Sequence, residues 1–518
     1  MKAAKILWVD DEIDLLKPHI LFLEEKGYQL MTTTNADDAF DLLANESFDL
    51  ILLDEHMPGL SGLEALSKIK DLNPSAPVVM ITKSEEENIM EEAIGSQIDD
   101  YLIKPVNPNQ ILLSIKKQLE NKKLITEKTI SNYQTQFQEI SQQIQNAKNY
   151  DDWCDVYRKL VYWELNLEDK GESNMKEVLA MQKSDANTEF AKYIQKNYRS
   201  WFEYNNKNKP LLSPNVFQQR VVPLLKNDEN IVLILIDNLR FDHWKFIAPM
   251  INEHFNIEYE EIYYSILPTA TQYSRNSFFA GLMPYEISKI YPDIWLDDED
   301  EGGKNLKEEE LLNSQIERLG LDLRFNYQKV NQPKTGKKVI QSLHNMLSSQ
   351  LNVFIYNYID MLSHARTEFD VLKELANNES AYRSLTYSWF KHSPLNQLLK
   401  ELSEKKAKVI ITTDHGSILV QNPKKVVGDK KTSVNLRYKH GKNLSYKKSE
   451  VFAVTDPNKI HLPKPHVNSK YIFATNQDYL VYPNNYNYYA NYYKSTFQHG
   501  GISMEEMLIP FIVLNPKE

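Results

Sequence analysis

Three largely apolar runs in the region after residue 216 each lead into an aspartate: IVLILID (Ile231–Asp237), NVFIYNYID (Asn352–Asp360) and VIITTDHG (Val409–Gly416). Runs this apolar, without polar alternation, read as strands covered on both faces, the hallmark of a parallel sheet flanked by helices. Ligands of such sheets gather at the carboxyl ends of the strands. The third run delivers a carboxylate and an imidazole to that rim, Asp414 and His415, a pair that suits zinc or manganese. Each aspartate taken singly is more often a strand cap than a ligand. The rest of this region supplies possible companions. His364 follows Asp360 by four residues, which puts both on one face of a helical turn. His499 stands in QHGGISMEEMLIPFIVL, ahead of a last strand-like run, and LPTATQ from Leu267 offers the hydroxyls of Thr269 and Thr271. Three aspartates, three histidines and a hydroxyl exceed the needs of one metal and suit two held about 4 Å apart.

The first 120 residues are built differently. Short strands are expected at Ile6–Val9, Leu30–Thr33, Leu50–Leu53, Val78–Thr82 and Tyr101–Ile103. Helices are expected near Ile13–Lys26, Ala36–Ala44, Gly62–Leu72, Glu86–Ile94 and Asn107–Glu120. Five βα units predict a flavodoxin-like doubly wound sheet. Its strand ends carry Asp10, Asp11, Asp54, Thr82 and Lys104. Three convergent carboxylates repel unless a hard cation such as Mg2+ sits among them, and a lysine and a hydroxyl opposite can hold phosphoryl oxygens.

The segments VDDE, LLDEHMPGLSG, MITKS and DYLIKP together resemble the receiver domain of bacterial two-component response regulators. The resemblance implies a sensor histidine kinase as partner and Asp54 as the nucleophile that forms an aspartyl phosphate. It further implies Mg2+ on Asp10, Asp11, Asp54 and the carbonyl of His56, a switch pair of Thr82 and Tyr101, and Lys104 on the phosphoryl group. A receiver-like scaffold that takes no phosphate is the alternative.

Residues 121–215 read as a helical-bundle connector. Tyr133, Phe137, Ile140 and Ile144 form one apolar stripe. Trp153, Tyr157, Leu160, Val161 and Trp163 follow, Asp185–Trp201 reads as a third helix, and Lys207–Pro214 as a joint. A spacer and a transmitter of the phosphorylation state, acting by dimerisation, are equally open readings.

From Val216 to the C-terminus (216–518), the pieces ILIDNLR, PTATQ, YIDMLSHAR, TTDHG and HGGISMEEMLIP resemble the alkaline phosphatase superfamily, most closely its PglZ-type branch. The resemblance implies an alkaline-phosphatase-like α/β domain. It places Asp237, Thr271, Asp414 and His415 on one zinc ion and Asp360, His364 and His499 on a second, with manganese as the substitute. Thr271 rather than Thr269 matches the nucleophile, because PTxT followed by GLxP is the phosphodiesterase-like pattern. Asn238 and Arg275 are candidates to contact the substrate phosphate, or are structural. The sulfatase branch needs a Cys or Ser in a different context, and the single cysteine, Cys154, lies in the connector.

A net charge of −11 argues against a duplex-DNA binder acting through its whole surface. Locally the balance differs. Lys424–Lys448 holds nine Lys/Arg and one acid, and Tyr471–Tyr493 holds eight tyrosines. These are a solvated loop and packing residues, or a phosphate-steering patch and base-stacking platform that favour nucleotides or oligonucleotides. Asp297–Glu301 (DDEDE) reads as a solvated acidic cap. No apolar run is long enough to span a bilayer, so a cytoplasmic protein without membrane insertion is expected.

The combined expectation is a response regulator whose Asp54 controls a two-metal phosphodiesterase acting on nucleotides or oligonucleotides through Thr271. A phosphomonoesterase, or a catalytically weak metal-binding signalling module working through protein partners, is the alternative. The three-part order resembles PorX-type regulators of type IX secretion. That resemblance implies a homodimer on phosphorylation and a protein partner such as a sigma factor.

Overall fold

A computed structural model describes the chain except for residues 1–2, 74–75, 84–97, 169–172, 204–205, 226–229, 299, 301, 369–377, 430–431 and 518. The helix expected over Glu86–Ile94 lies outside the described residues. The chain divides into two compact units, Met1–Gln136 and Phe137–Glu168 with Glu172–Glu518.

The first unit holds five parallel strands, Lys5–Val9 (β1), Gln29–Thr33 (β2), Leu50–Asp54 (β3), Val78–Thr82 (β4) and Asp100–Ile103 (β5). They lie in the order β2-β1-β3-β4-β5, so β1, β3 and β4 are central, and each of these is buried almost throughout. Two of the helices around them, Ala36–Asn45 and Gly62–Leu72, start where short polar side chains satisfy the first free N–H groups. Asn35 accepts from Asp38 N, and Ser61 forms a reciprocal capping box with Glu64. Gly62 follows Ser61 because a Cβ there would overlap the backbone carbonyl of Asp54. The flavodoxin-like expectation holds for this unit.

A single helix of 39 residues, Pro108–Asn146, runs on where the sequence suggested a boundary near residue 120. No glycine or proline interrupts it after Pro108. Helices Tyr150–Glu168 and Ser173–Asn197 follow. Both belong to the second compact unit, whereas residues 121–136 of the expected connector fall in the first. Trp153, Tyr157, Leu160 and Trp163 are buried, as the aromatic spacing predicted.

The second unit is centred on a six-stranded sheet: Ile231–Ile236 (β6), Phe255–Tyr264 (β7), Phe325–Val330 (β8), Leu351–Tyr356 (β9), Lys408–Thr412 (β10) and, at the end of the chain, Leu508–Pro516 (β18). The order is β7-β18-β10-β6-β9-β8, with β10, β6, β9 and β8 parallel and β18 antiparallel to both neighbours. Every residue of β6 and β9 is buried. Each Ile, Leu or Val so covered contributes about 1.5–3 kcal/mol. The three strands that end in the aspartate motifs, β6, β9 and β10, are therefore adjacent at the middle of the sheet. Between β10 and β18 the chain adds short pieces: Ile418–Leu419 (β11), Asn422–Lys425 (β12), Tyr438–Gly441 (β13), Phe452–Val454 (β14), Lys470–Phe473 (β15), Asp478–Val481 (β16) and Phe497–Gln498 (β17).

The lysine-rich stretch is only partly a solvated surface. Arg437 is buried and paired with Glu506, and Lys439 on β13 is 1% exposed. The Lys439 ammonium meets the Ser433 carbonyl at 3.2 Å and the Tyr482 ring at 4.3 Å. Burial lowers its pKa from 10.5 to about 7. Between those values the unfolded chain binds the extra proton, so the parent's stability rises with pH across that window by roughly 1.4 kcal/mol per unit. Lys439→Met is expected to be more stable than the parent by a few kcal/mol below pH 7, an advantage that shrinks toward pH 10. Urea melts at pH 6.5 and 9.5 (on the order of three units apart) read the difference. A pH-independent difference contradicts it.

Candidate active site

Three neighbouring strands deliver the candidate ligands to one rim. Asp237 follows β6 directly, Asp414 and His415 follow β10 after Thr413, and Asp360 lies in the first turn of helix Tyr358–Glu368 after β9. His364, one turn on, reaches the Asp360 carboxylate at 3.4 Å, as the i,i+4 spacing predicted. His499 arrives from the loop after β17, with Nε2 3.4 Å from the other Asp360 oxygen. Thr271 is the first residue of helix Thr271–Ala280. Its hydroxyl stands 3.1 Å from His415 Nε2 and 3.5 Å from Asp237 Oδ1.

The side chains fall into two groups, Asp237–Asp414–His415 and Asp360–His364–His499, whose ligand atoms lie within 4.8 Å of one another in each group. The groups abut. The His415 and His499 rings stack at 4.2 Å, and the Asn238 amide lies 3.4 Å from Asp360 Oδ1. The residues that the sequence reading placed on zinc are thus brought together.

The donor chemistry fits divalent cations. His415 Nδ1 faces the Gly416 carbonyl at 3.2 Å and His499 Nδ1 faces the Thr269 carbonyl at 3.2 Å. A carbonyl accepts only, so Nδ1 carries the proton in each ring and the Nε2 lone pair is left toward the cluster. Burial and the neighbouring His415 lower the His499 pKa to about 3, which keeps that lone pair available. Burial, with Asp414 and Asp360 close by, pushes the Asp237 carboxyl well up even though Arg275 opposes the shift. Burial acts against the charged form of Asp414 too, but Arg275 and His415 outweigh it and lower its pKa. Three carboxylates crowded at one buried rim call for positive charge beyond that arginine. Asn238, at a backbone φ of 64°, keeps its side-chain oxygen buried without a hydrogen-bond partner beside both groups.

Arg275, a candidate phosphate contact or a structural residue, has the surroundings of the second reading. It is fully buried beneath the rim, pairing with Asp237, donating from Nε to Asp414 Oδ2 at 2.9 Å and from Nη1 to Asn357 Oδ1 at 3.1 Å, and lying 3.6 Å from Glu308. Every face of the guanidinium is engaged, so it orients the carboxylates rather than meeting a phosphate. Glu308, the buried acid that balances it, carried no signal in the sequence beyond its place in a surface-like acidic run. Asp298 is a correction. Within the stretch read as a solvated cap its side chain is 7% exposed and accepts from the Tyr273 and Tyr438 hydroxyls at 3.0 and 3.1 Å. Burial raises its pKa to about 6. The eight tyrosines divide: Tyr471 and Tyr479 are core, while Tyr488 and Tyr489 are exposed on helix Tyr486–Tyr493, stacked on Tyr492 and Tyr493.

In the first unit, Asp10, Asp11 and Asp54 also form a group within 4.8 Å. Lys104 Nζ bridges Asp10 and Asp54 at 3.0 Å each. Burial, then Asp10 and Asp11, raise the Asp54 pKa to about 6 against the pull of Lys104. Thr82 at the end of β4 donates to the Glu55 carboxylate, Tyr101 on β5 is 39% exposed, and His56 lies in the loop after β3. Asp54→Asn is expected to abolish covalent labelling by an acyl-phosphate donor. Phosphate-affinity electrophoresis reads this, and a shifted band in the variant contradicts it.

Residues 216–514 match the family profile of the BREX system PglZ alkaline phosphatase-like domain. Residues 123–202 match the PorX response regulator linker domain and residues 6–116 the response regulator receiver domain. The chain is 34% identical over 113 residues to the transcriptional regulatory protein ResD of Bacillus subtilis strain 168, covering 22% of this chain and 47% of that protein. It is 35% identical over 123 residues to the alginate biosynthesis transcriptional regulatory protein AlgB of Pseudomonas aeruginosa, covering 24% and 27%. The chain thus spans less than half the length of either relative. A solved CheY-like receiver domain protein of Methanospirillum hungatei is 31% identical, covering 23% of this chain and 95% of that one, with a TM-score of 0.22. Receiver and alkaline phosphatase-like domains generally use divalent metals. Among the described residues no helix is long and apolar enough to cross a membrane.

Proposed function

Because the chain belongs to the PglZ alkaline phosphatase-like family, with a receiver and a PorX-type linker ahead of that domain, we propose that it is a response regulator whose Asp54 phosphorylation controls a two-metal phosphodiesterase. Its substrates are nucleotides or oligonucleotides, its input a sensor histidine kinase, and its setting the regulation of type IX secretion, with the phosphorylated protein a homodimer. The observation that carries the chemistry is the position of the Thr271 hydroxyl, between Asp237 and His415 at the start of a helix.

Asp237, Asp414, His415 and Thr271 hold one cation and Asp360, His364 and His499 the other. When bound, two such cations supply Lewis-acid polarisation of the phosphoryl oxygens and a lowered pKa for coordinated oxygen. Thr271 Oγ1 attacks the phosphorus and forms a threonyl phosphodiester as the first alcohol leaves. Water then breaks the new P–O bond and releases the phosphomonoester and free Thr271. The N-terminus of helix Thr271–Ala280 faces the developing negative charge. Fixed by the Thr269 and Gly416 carbonyls, His499 and His415 hold their tautomers throughout.

One observation favours the reading with weak or no turnover. With Arg275 occupied beneath the rim, Asn238, which follows Asp237 and whose amide reaches Asp360, is the one of the two proposed phosphate contacts left. Hydrolysis of bis-p-nitrophenyl phosphate by the zinc-loaded full chain, with and without an acyl-phosphate donor, separates the readings. Zinc-dependent turnover that responds to the donor in the parent but not in Asp54→Asn supports the enzyme. Zinc uptake without turnover in either state supports the signalling module. Matched mono- and diester substrates distinguish a monoesterase.

A further inference from the structure

The helices of the connector reach the backs of the loops that carry the candidate ligands, through buried charged side chains. Arg383, on helix Glu379–His392, donates to Glu164 at 2.8 Å and to Glu168 at 2.9 Å on connector helix Tyr150–Glu168, and to Asp242 at 2.8 Å. Both Asp242 oxygens also accept from Arg240 at 2.8 Å. Arg240 belongs to the short loop that leaves β6 through Asp237 and Asn238. It donates toward the Ser417 carbonyl at 3.4 Å, and its guanidinium covers the Phe497 ring, two residues before His499. One chain of contacts therefore runs from the connector to the backs of three ligand-bearing segments.

A second contact starts on connector helix Ser173–Asn197. Asn187 is buried, donates to Glu505 Oε2 at 2.9 Å and accepts from Met504 N at 2.8 Å. Lys183 spans Glu164 at 2.6 Å and Glu505 at 3.5 Å. The segment so held cradles the loop after β10. Gly416 N donates to the Glu506 carbonyl at 3.2 Å, and a Cβ on Gly416 would overlap the Glu505 carbonyl. That contact explains the glycine in TTDHG. Glu164, Asp242 and Glu379 stand close enough together for a cation of their own, but both Asp242 oxygens are taken by guanidinium groups. A cavity of about 450 Å3 borders this seam, lined by Leu167, Leu179, Lys183, Arg383, Ile418 and Glu505 among others, which leaves the helices room to shift.

We propose that the connector helices form the outer shell of the ligand loops, with Arg383 and Asn187 as positioning residues that set the geometry of Asp237, His415 and His499. The inference rests on the reading of the two side-chain groups as metal sites. It makes the connector a working part of the effector rather than a spacer, because moving either helix moves the backs of the ligand loops. Groups that hold metal ligands from behind commonly control affinity and rate by about ten- to a hundredfold.

The test uses the full chain and measures zinc affinity by competition with a chromogenic chelator, alongside kcat and KM for bis-p-nitrophenyl phosphate and the melting temperature. Arg383→Met and Asn187→Leu are each expected to weaken zinc binding by about tenfold and to lower kcat more than they raise KM. Arg383→Lys, which keeps the charge, should recover part of the affinity. Asn187→Leu carries the test alone if Arg383→Met does not fold, since it removes two hydrogen bonds and no charge. Folded variants that keep the parent's zinc affinity and kcat overturn this proposal alone. A parent that takes up no zinc overturns the metal reading and this inference with it.

Discussion

Thr271→Ala is expected to abolish zinc-dependent hydrolysis of bis-p-nitrophenyl phosphate, by on the order of a thousandfold or more, while the metals stay bound. The hydroxyl is 3.1 Å from His415 and 3.5 Å from Asp237, so the variant loses the hydroxyl assigned to attack phosphorus while the Asp and His groups stay in place. Thr269, two residues earlier, cannot take over. It is fully buried, donates to the Gly501 carbonyl at 3.0 Å, and its own carbonyl fixes His499. The assay is initial rate at saturating zinc, with zinc content measured on the same samples. Parent-like rates in Thr271→Ala would rule out the nucleophile assignment. Any loss of rate in Thr269→Ala should instead track zinc binding at the His499 group, because its hydroxyl holds Gly500 and Gly501 beside His499.

The largest effect on stability is expected from Arg275→Met. Removing the guanidinium leaves Asp237, Asp414 and Glu308 buried without their shared counter-charge. Breaking buried pairs in this way costs about 3–5 kcal/mol. A bound cation supplies positive charge to the first two of these carboxylates, so added zinc should recover part of the loss. Urea melts with zinc and with chelator measure both quantities. If Arg275 instead contacted substrate, the melts would stay unchanged and only KM would rise.

Legibility in the sequence followed the length scale of the physics. The receiver strands were readable because β1, β3, β4 and β5 are short apolar runs ending at a polar or charged residue, and β4 was bounded to the residue. The ligand groups were readable because their residues sit at strand ends or one helical turn apart, where period and spacing fix direction. What stayed hidden depends on contacts far apart in sequence. Arg275 and Asn238 had the same local appearance, yet one lies beneath the carboxylates and the other between the two groups. Glu308 and Asp298 looked like solvated acids because nothing local distinguishes an acid that meets an arginine or two tyrosine hydroxyls across the fold. Arg240 and Asp242, in NLRFD beside the Asp237 motif, drew no reading from the sequence. Their link through Arg383 to Glu164 spans elements that no periodicity relates. The unbroken helix Pro108–Asn146 was read as two helical segments for the opposite reason: composition changes along it while the backbone does not.

Zinc stoichiometry of the full chain tests the central claim most directly. Elemental analysis after zinc loading and removal of loosely held metal should give two ions per chain in the parent. His499→Ala and Asp237→Asn should each retain one, since each takes a ligand from a different group. A parent that holds no zinc, or variants that both retain the parent's full complement, would contradict the two-metal account.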